Sequence, residues 1–144
     1  MNGSNTYKER QDGENQGEIL FEQYCREKGY QLQRIGFDEK NNNIPEFYDL
    51  NIYLRKLPDY VVVTPQYKYV VNVKGTPKFK KSEYDDLTKF EELYGSKKFP
   101  LAFAFCFKDA EPRIISVEKI KFLYKQGIDE KFKGDGVIYR KLVL

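Results

Sequence analysis

Four residues of the chain could act together on a phosphate ester: Asp59, Asn72, Lys74 and Glu18. Asp59 opens an apolar run, Asp59 to Thr64, and Asn72-Val73-Lys74 lies thirteen positions on, at the close of a second run, Tyr67 to Val73. Both runs are rich in valine, and Pro65 and Gln66 make a turn between them, which predicts a β-hairpin. A hairpin sets the start of its first strand beside the end of its second. Asp59, Asn72 and Lys74 should therefore gather at one end of a sheet, with Asn72 and Lys74 on one face because strand side chains alternate with period two. Glu18 borders the apolar face of the first helix and can point at the same edge. Two carboxylates, the Asn72 amide oxygen and the Val73 backbone carbonyl are the oxygen donors that hard cations such as Mg2+ or Mn2+ take. A lysine beside such a cation can orient or deprotonate water for attack at phosphorus.

Composition narrows the alternatives. The 144 residues contain no histidine, which removes Ser-His-Asp triads, Cys-His dyads, His-ligated zinc and histidine general bases. The two cysteines, Cys25 and Cys106, sit in apolar patterns without metal-ligand spacing, against a zinc site or a disulfide scaffold. No apolar run approaches the roughly 18 residues of a membrane span, and Met1 to Gly17 lacks the apolar stretch of a secretory signal, so no membrane partner and an intracellular setting are expected. At 40% hydrophobic and 16% aromatic, the chain can bury a core, and its length fits one domain. The net charge of +3 is compatible with a nucleic-acid partner.

These residues need elements to hold them. Residues 1–14 carry no periodicity and read as a disordered tail, leaving 15–144 as the single domain. Leu20, Phe21, Tyr24 and Cys25 repeat at helical spacing, so a first helix is expected over Asn15 to Lys28, with Gly29 at its end. Gln31 to Phe37 reads as a strand. Asn41 to Asn43 read as a loop, and Phe47, Leu50, Tyr53 and Leu54 suit a short helix before Pro58. After the hairpin, Ser82 is the expected N-cap of a helix whose apolar face is Tyr84, Leu87, Phe90 and Tyr94, with Gly95 as its stop. Leu101 to Phe107 (LAFAFCF) reads as a strand covered on both faces. A strand at Arg113 to Ser116, a helix from Val117 to Tyr124 ending at Gly127, and a last strand at Gly136 to Val143 complete an α/β order.

The pattern Pro58-Asp59 with Asn72-Val73-Lys74 resembles the PD-(D/E)XK nuclease superfamily, whose last motif runs acidic residue, any residue, lysine. Gly17-Glu18 at the first helix, Gly29-Tyr30 at its end and Lys74-Gly75-Thr76 after the motif strand agree with it, and the resemblance spans roughly residues 15–125. It implies a restriction-endonuclease-like mixed sheet flanked by helices with an α-β-β-β-α-β core. It further implies a Mg2+- or Mn2+-dependent endonuclease acting on DNA, Asp59 as metal ligand, Lys74 as catalytic lysine and Glu18 as the first-helix acid of some members. A homodimer or larger complex would supply specificity to so small a chain.

Asn72 departs from the motif, because a neutral amide stands where the family carries a charge. Four readings follow: the cation binds more weakly with activity kept; an acid from elsewhere, Glu83 or Asp49, takes over; the fold is a silent nucleic-acid-binding or protein-interaction module; or the asparagine is an introduced change. A second feature is Lys74 to Lys81, four lysines in eight residues with no acid. Lys78, Lys80, Lys81 and the Ser82 N-cap read as an exposed phosphate-contacting loop beside the site. Phe79 in that loop suits either base stacking or the core.

Overall fold

In the computed structural model, residues 7–34, 59–66, 68–98 and 100–144 are described. The elements run α1 (Tyr7–Lys28), β1 (Gln31–Arg34), β2 (Tyr60–Val63), β3 (Lys68–Lys74), β4 (Lys78–Lys80), α2 (Lys81–Lys98), β5 (Leu101–Phe105), β6 (Arg113–Ser116), α3 (Val117–Lys125), β7 (Glu130–Lys131) and β8 (Ile138–Lys141). A mixed sheet of order β1-β2-β3-β5-β6 puts β3 at its centre. The β2–β3 hairpin is antiparallel, with Tyr60 opposite Val71, and β3 runs parallel to β5. The mixed α/β architecture and its α-β-β-β-α-β core are thus those expected. A second sheet, β4-β8-β7, stands beside it.

The two faces of the large sheet are packed differently. Val61, Val70, Phe103, Phe105 and Ile115 meet Leu87 and Phe90 of α2 and Ile120, Leu123 and Tyr124 of α3. On the opposite face, Tyr60, Val62, Val71, Val73, Ala104 and Cys106 meet Phe21 and Cys25 of α1. Strand β5 feeds both clusters, which is why its sequence shows no polar alternation. Along β3 the alternation sends Val71 and Val73 toward α1, and Val70, Asn72 and Lys74 toward α2.

Several boundaries differ from those read in the sequence. Helix α1 begins at Tyr7, inside the segment expected to be a tail. Helix α2 continues through Gly95 to Lys98, since an interior glycine costs a helix only about 1 kcal/mol. The lysine-rich segment is not a loop throughout. Its alternation Lys78-Phe79-Lys80 forms β4, because Phe79 is fully buried against Phe103 and Tyr124, with ring centroids 5.2 and 6.2 Å away. The last strand is shorter than expected, and α3 is capped by Ser116, the last residue of β6, whose Oγ accepts from Lys119 N–H at 3.2 Å. The readings at 35–58, including the Asn tract, the short helix, Asp49 and Pro58, lie outside the described residues.

Both cysteines are free and buried on the α1 side of the sheet. Loss of solvent pushes the Cys25 thiol up to about 11, helped by the charge of Glu22, and that of Cys106 up to about 12, helped by Cys25. A raised thiol value empties the reactive thiolate at neutral pH. A disulfide-forming thiol reagent at pH 7.5 should therefore label neither cysteine in the native protein and both after denaturation. Fast labelling of the native protein would show that this side of the sheet opens readily.

Candidate active site

The site is built where β2 begins and β3 ends. Asp59 leads into β2, and its N–H donates to the Val71 carbonyl at 2.8 Å. Its Oδ2 accepts from the Val73 N–H, also at 2.8 Å. Asp59 is therefore bonded on either side of Asn72, which is how the hairpin brings together residues thirteen positions apart. The Asn72 side chain is buried and the residue is engaged in other contacts; its Oδ1 accepts no hydrogen bond from a described residue.

Lys74, expected here, stands in an unexpected setting. Its side chain is only 3% exposed, and its Nζ lies 2.8 Å from both carboxylate oxygens of Glu83. The same ammonium stands 5.6 Å from the centroid of the Phe79 ring. Glu83 comes from the first turn of α2 and also accepts from the Lys80 N–H at 3.0 Å. That second bond is one half of a capping box, a side chain at the third helical position reaching back to the N-cap backbone. The N-cap position is thus Lys80, and Ser82, expected to cap the helix, sits exposed within its first turn. One carboxylate starts α2 and neutralises a buried lysine.

Glu18 takes a different partner. Gly17 lies against the end of β3, where an added Cβ would stand 3.0 Å from Gly75 Cα, so α1 meets the strand backbone to backbone at this turn. The Glu18 carboxylate nevertheless pairs with Arg34 of β1 at 2.8 Å. Arg34 also donates to the Tyr60 hydroxyl, which donates to Glu22; burial, and then this bond to Glu22, push the Tyr60 hydroxyl well above its usual range. The structure therefore brings Asp59, Asn72, Val73 and Lys74 to one end of the sheet, adds Glu83, and turns Glu18 toward Arg34.

The lysines expected to flank the site separate. Lys81 is exposed and pairs with Asp85 at 3.0 Å across one helical turn. Lys78 and Lys80 are half-buried on β4, contrary to the expected exposure. The donors at the sheet end are oxygens, the chemistry a hard cation requires. Among the described residues, however, no three His, Cys, Asp or Glu side chains stand as a metal-binding group.

A buried pair that loses one partner leaves an uncompensated charge, worth about 3–5 kcal/mol of stability. Glu83→Gln keeps an oxygen for the Lys80 N–H but removes the charge from Lys74, and should destabilise the protein by about that amount in urea unfolding. Adding Lys74→Met, which fills the same space without charge, should restore most of the loss. An additive double variant would mean the pair is not coupled.

No protein-family model matches the chain, and no curated protein does. Among solved structures, the chain is similar to the Holliday junction resolvase Hjc of Archaeoglobus fulgidus, at 14% identity over 88% of this chain and 84% of that one, with a TM-score of 0.44.

Proposed function

We propose that the chain is a divalent-metal-dependent phosphodiesterase that cuts DNA. The observation that carries this reading is the anchoring of Asp59 to the backbone on both sides of Asn72, two residues before a lysine held by a carboxylate. Asp59, the Asn72 amide oxygen and the Val73 carbonyl would hold Mg2+ or Mn2+, with Glu83 the nearby acid that replaces the charge absent at position 72. A bound cation supplies Lewis acidity toward the phosphate oxygen and lowers the pKa of water. The chain's own residues do the rest. Lys74, whose Nζ is bonded to both Glu83 carboxylate oxygens, would offer positive charge to the developing phosphorane. Its burial, with the Phe79 ring 5.6 Å from Nζ, excludes water and strengthens the electrostatic interactions the ammonium makes. Glu18 contributes only by leaving Arg34. The choice of DNA follows the family resemblance, and the lysines after β3 are the electrostatic contacts such a polyanion takes.

A second reading, a silent nucleic-acid-binding module on the same fold, is favoured by the lack of a three-acid cluster among the described residues. Asn72→Asp separates the two. At about 4 Å and an effective dielectric near 20, one added charge is worth up to about 4 kcal/mol per unit of cation charge before desolvation, and a third of that is roughly tenfold in affinity. Mg2+ binding by calorimetry should tighten by about that factor. Cleavage of plasmid and branched DNA should rise, and Lys74→Ala should abolish it. An Asn72→Asp protein that neither binds Mg2+ nor cuts would leave the silent module.

A further inference from the structure

The small sheet has a face that the site does not use. Its register sets Lys78 directly opposite Lys141, Lys80 opposite Tyr139, and Glu130 opposite Tyr139 on the other side. Directly paired residues project to the same face, so Lys78, Lys80 and Lys141 stand together, with Glu130 as the acid of that face. Beneath them, Phe132 and Tyr139 are buried with ring centroids 4.2 Å apart, and Lys78 Nζ lies 5.3 Å from each ring. The other face of β8 is spent internally: Arg140 bonds Asp129 at 2.7 Å and the Tyr124 carbonyl at 2.8 Å.

Two physical features mark the lysine face. Like charges directly opposite across an antiparallel pair repel, and the Lys78–Lys141 pair is of this kind. Lys81, Lys74 and Arg140 each have a carboxylate partner, whereas neither Lys80 nor Lys141 has an ion pair among the described residues. A polyanion laid on the face would give Lys80 and Lys141 the counter-charge that the described residues do not supply. The strand that carries Lys78 and Lys80 is fastened to the candidate site, because the Lys80 N–H is held by the carboxylate that holds Lys74.

We propose that the face of the β4–β8–β7 sheet carrying Lys78, Lys80 and Lys141 docks the phosphate backbone of the DNA. The inference rests on the DNA-cutting reading for its ligand, and it adds Lys141, some sixty residues away in sequence, to the contacts. The lysines read phosphate and not bases, so docking is independent of DNA sequence and depends on salt.

The test is a titration of a short labelled duplex with the full chain, in chelator, at several NaCl concentrations. Lys80→Gln combined with Lys141→Gln should weaken binding at low salt and reduce the slope of log affinity against log salt by about 1.8, two duplex phosphate contacts. Lys125→Gln on α3 is the control and should leave the slope unchanged. Circular dichroism of each variant checks folding, and the single Lys141→Gln variant, exposed at a strand end, should lose about half as much slope. An unchanged slope in the folded double variant overturns the docking face; if Asn72→Asp still cuts DNA, the nuclease reading survives that failure. A reduced slope in a protein that never cuts supports the docking face and removes the nuclease. Binding to phosphatidylserine vesicles in place of DNA, lost in the same variant, also overturns the proposal.

Discussion

The buried contact between Lys74 and Glu83 organises this molecule. A lysine ammonium at the end of the central strand cannot remain there without a counter-charge, since the desolvation cost of an unpaired ion is several kcal/mol. Glu83 supplies it, and to do so α2 must start at one place, with its first turn over the end of β3. The Lys80 N–H fixes the carboxylate from the other side, so the start of the helix, the end of β4 and the end of β3 meet at one group. The polar centre and the helix that shields it are a single construction.

In the proposed nuclease, that construction would supply the negative charge that Asn72 does not carry. With Glu83 close by, the end of β3 already holds one negative charge against one positive charge, and Asp59 adds a second acid through its bonds around Asn72. In the proposed enzyme the acidic character moves from the strand to the first turn of the neighbouring helix. A carboxylate there gains from the helix dipole as well as from the lysine.

Much of this was readable from the residues. The valine runs on either side of Pro65-Gln66 announced the hairpin, and the hairpin alone brings Asp59 to Asn72. The helical spacing of Phe21 and Cys25 located the buried face of α1. What sequence could not show was the burial of Lys74, because lysine at a strand end is ordinarily solvated and nothing local distinguishes this one. The capping box was hidden by its N-cap, a lysine instead of serine or aspartate, which shifted the apparent frame to Ser82. Strand β4 was masked by charge, although the alternation around Phe79 held the period-two signal. Its partner β8 lies about sixty residues away, beyond the reach of local reasoning.

The approach of Gly17 to Gly75 gives the first helix a mechanical stop. Most helices rest on a sheet through interlocking side chains, and can slide by a fraction of a turn when those side chains change. Here main chain meets main chain, with an added Cβ standing 3.0 Å from Gly75 Cα. Such a seat has no rotamers to adjust. Substitutions along the rest of the α1 face can alter how firmly the helix is held without altering where it sits, so the distance from the Glu18 backbone to the end of β3 is set independently of core packing. Alanine at position 17 would push against a neighbour that has no side chain to yield. Either the helix or the chain at Gly75 would have to give by a few tenths of an ångström.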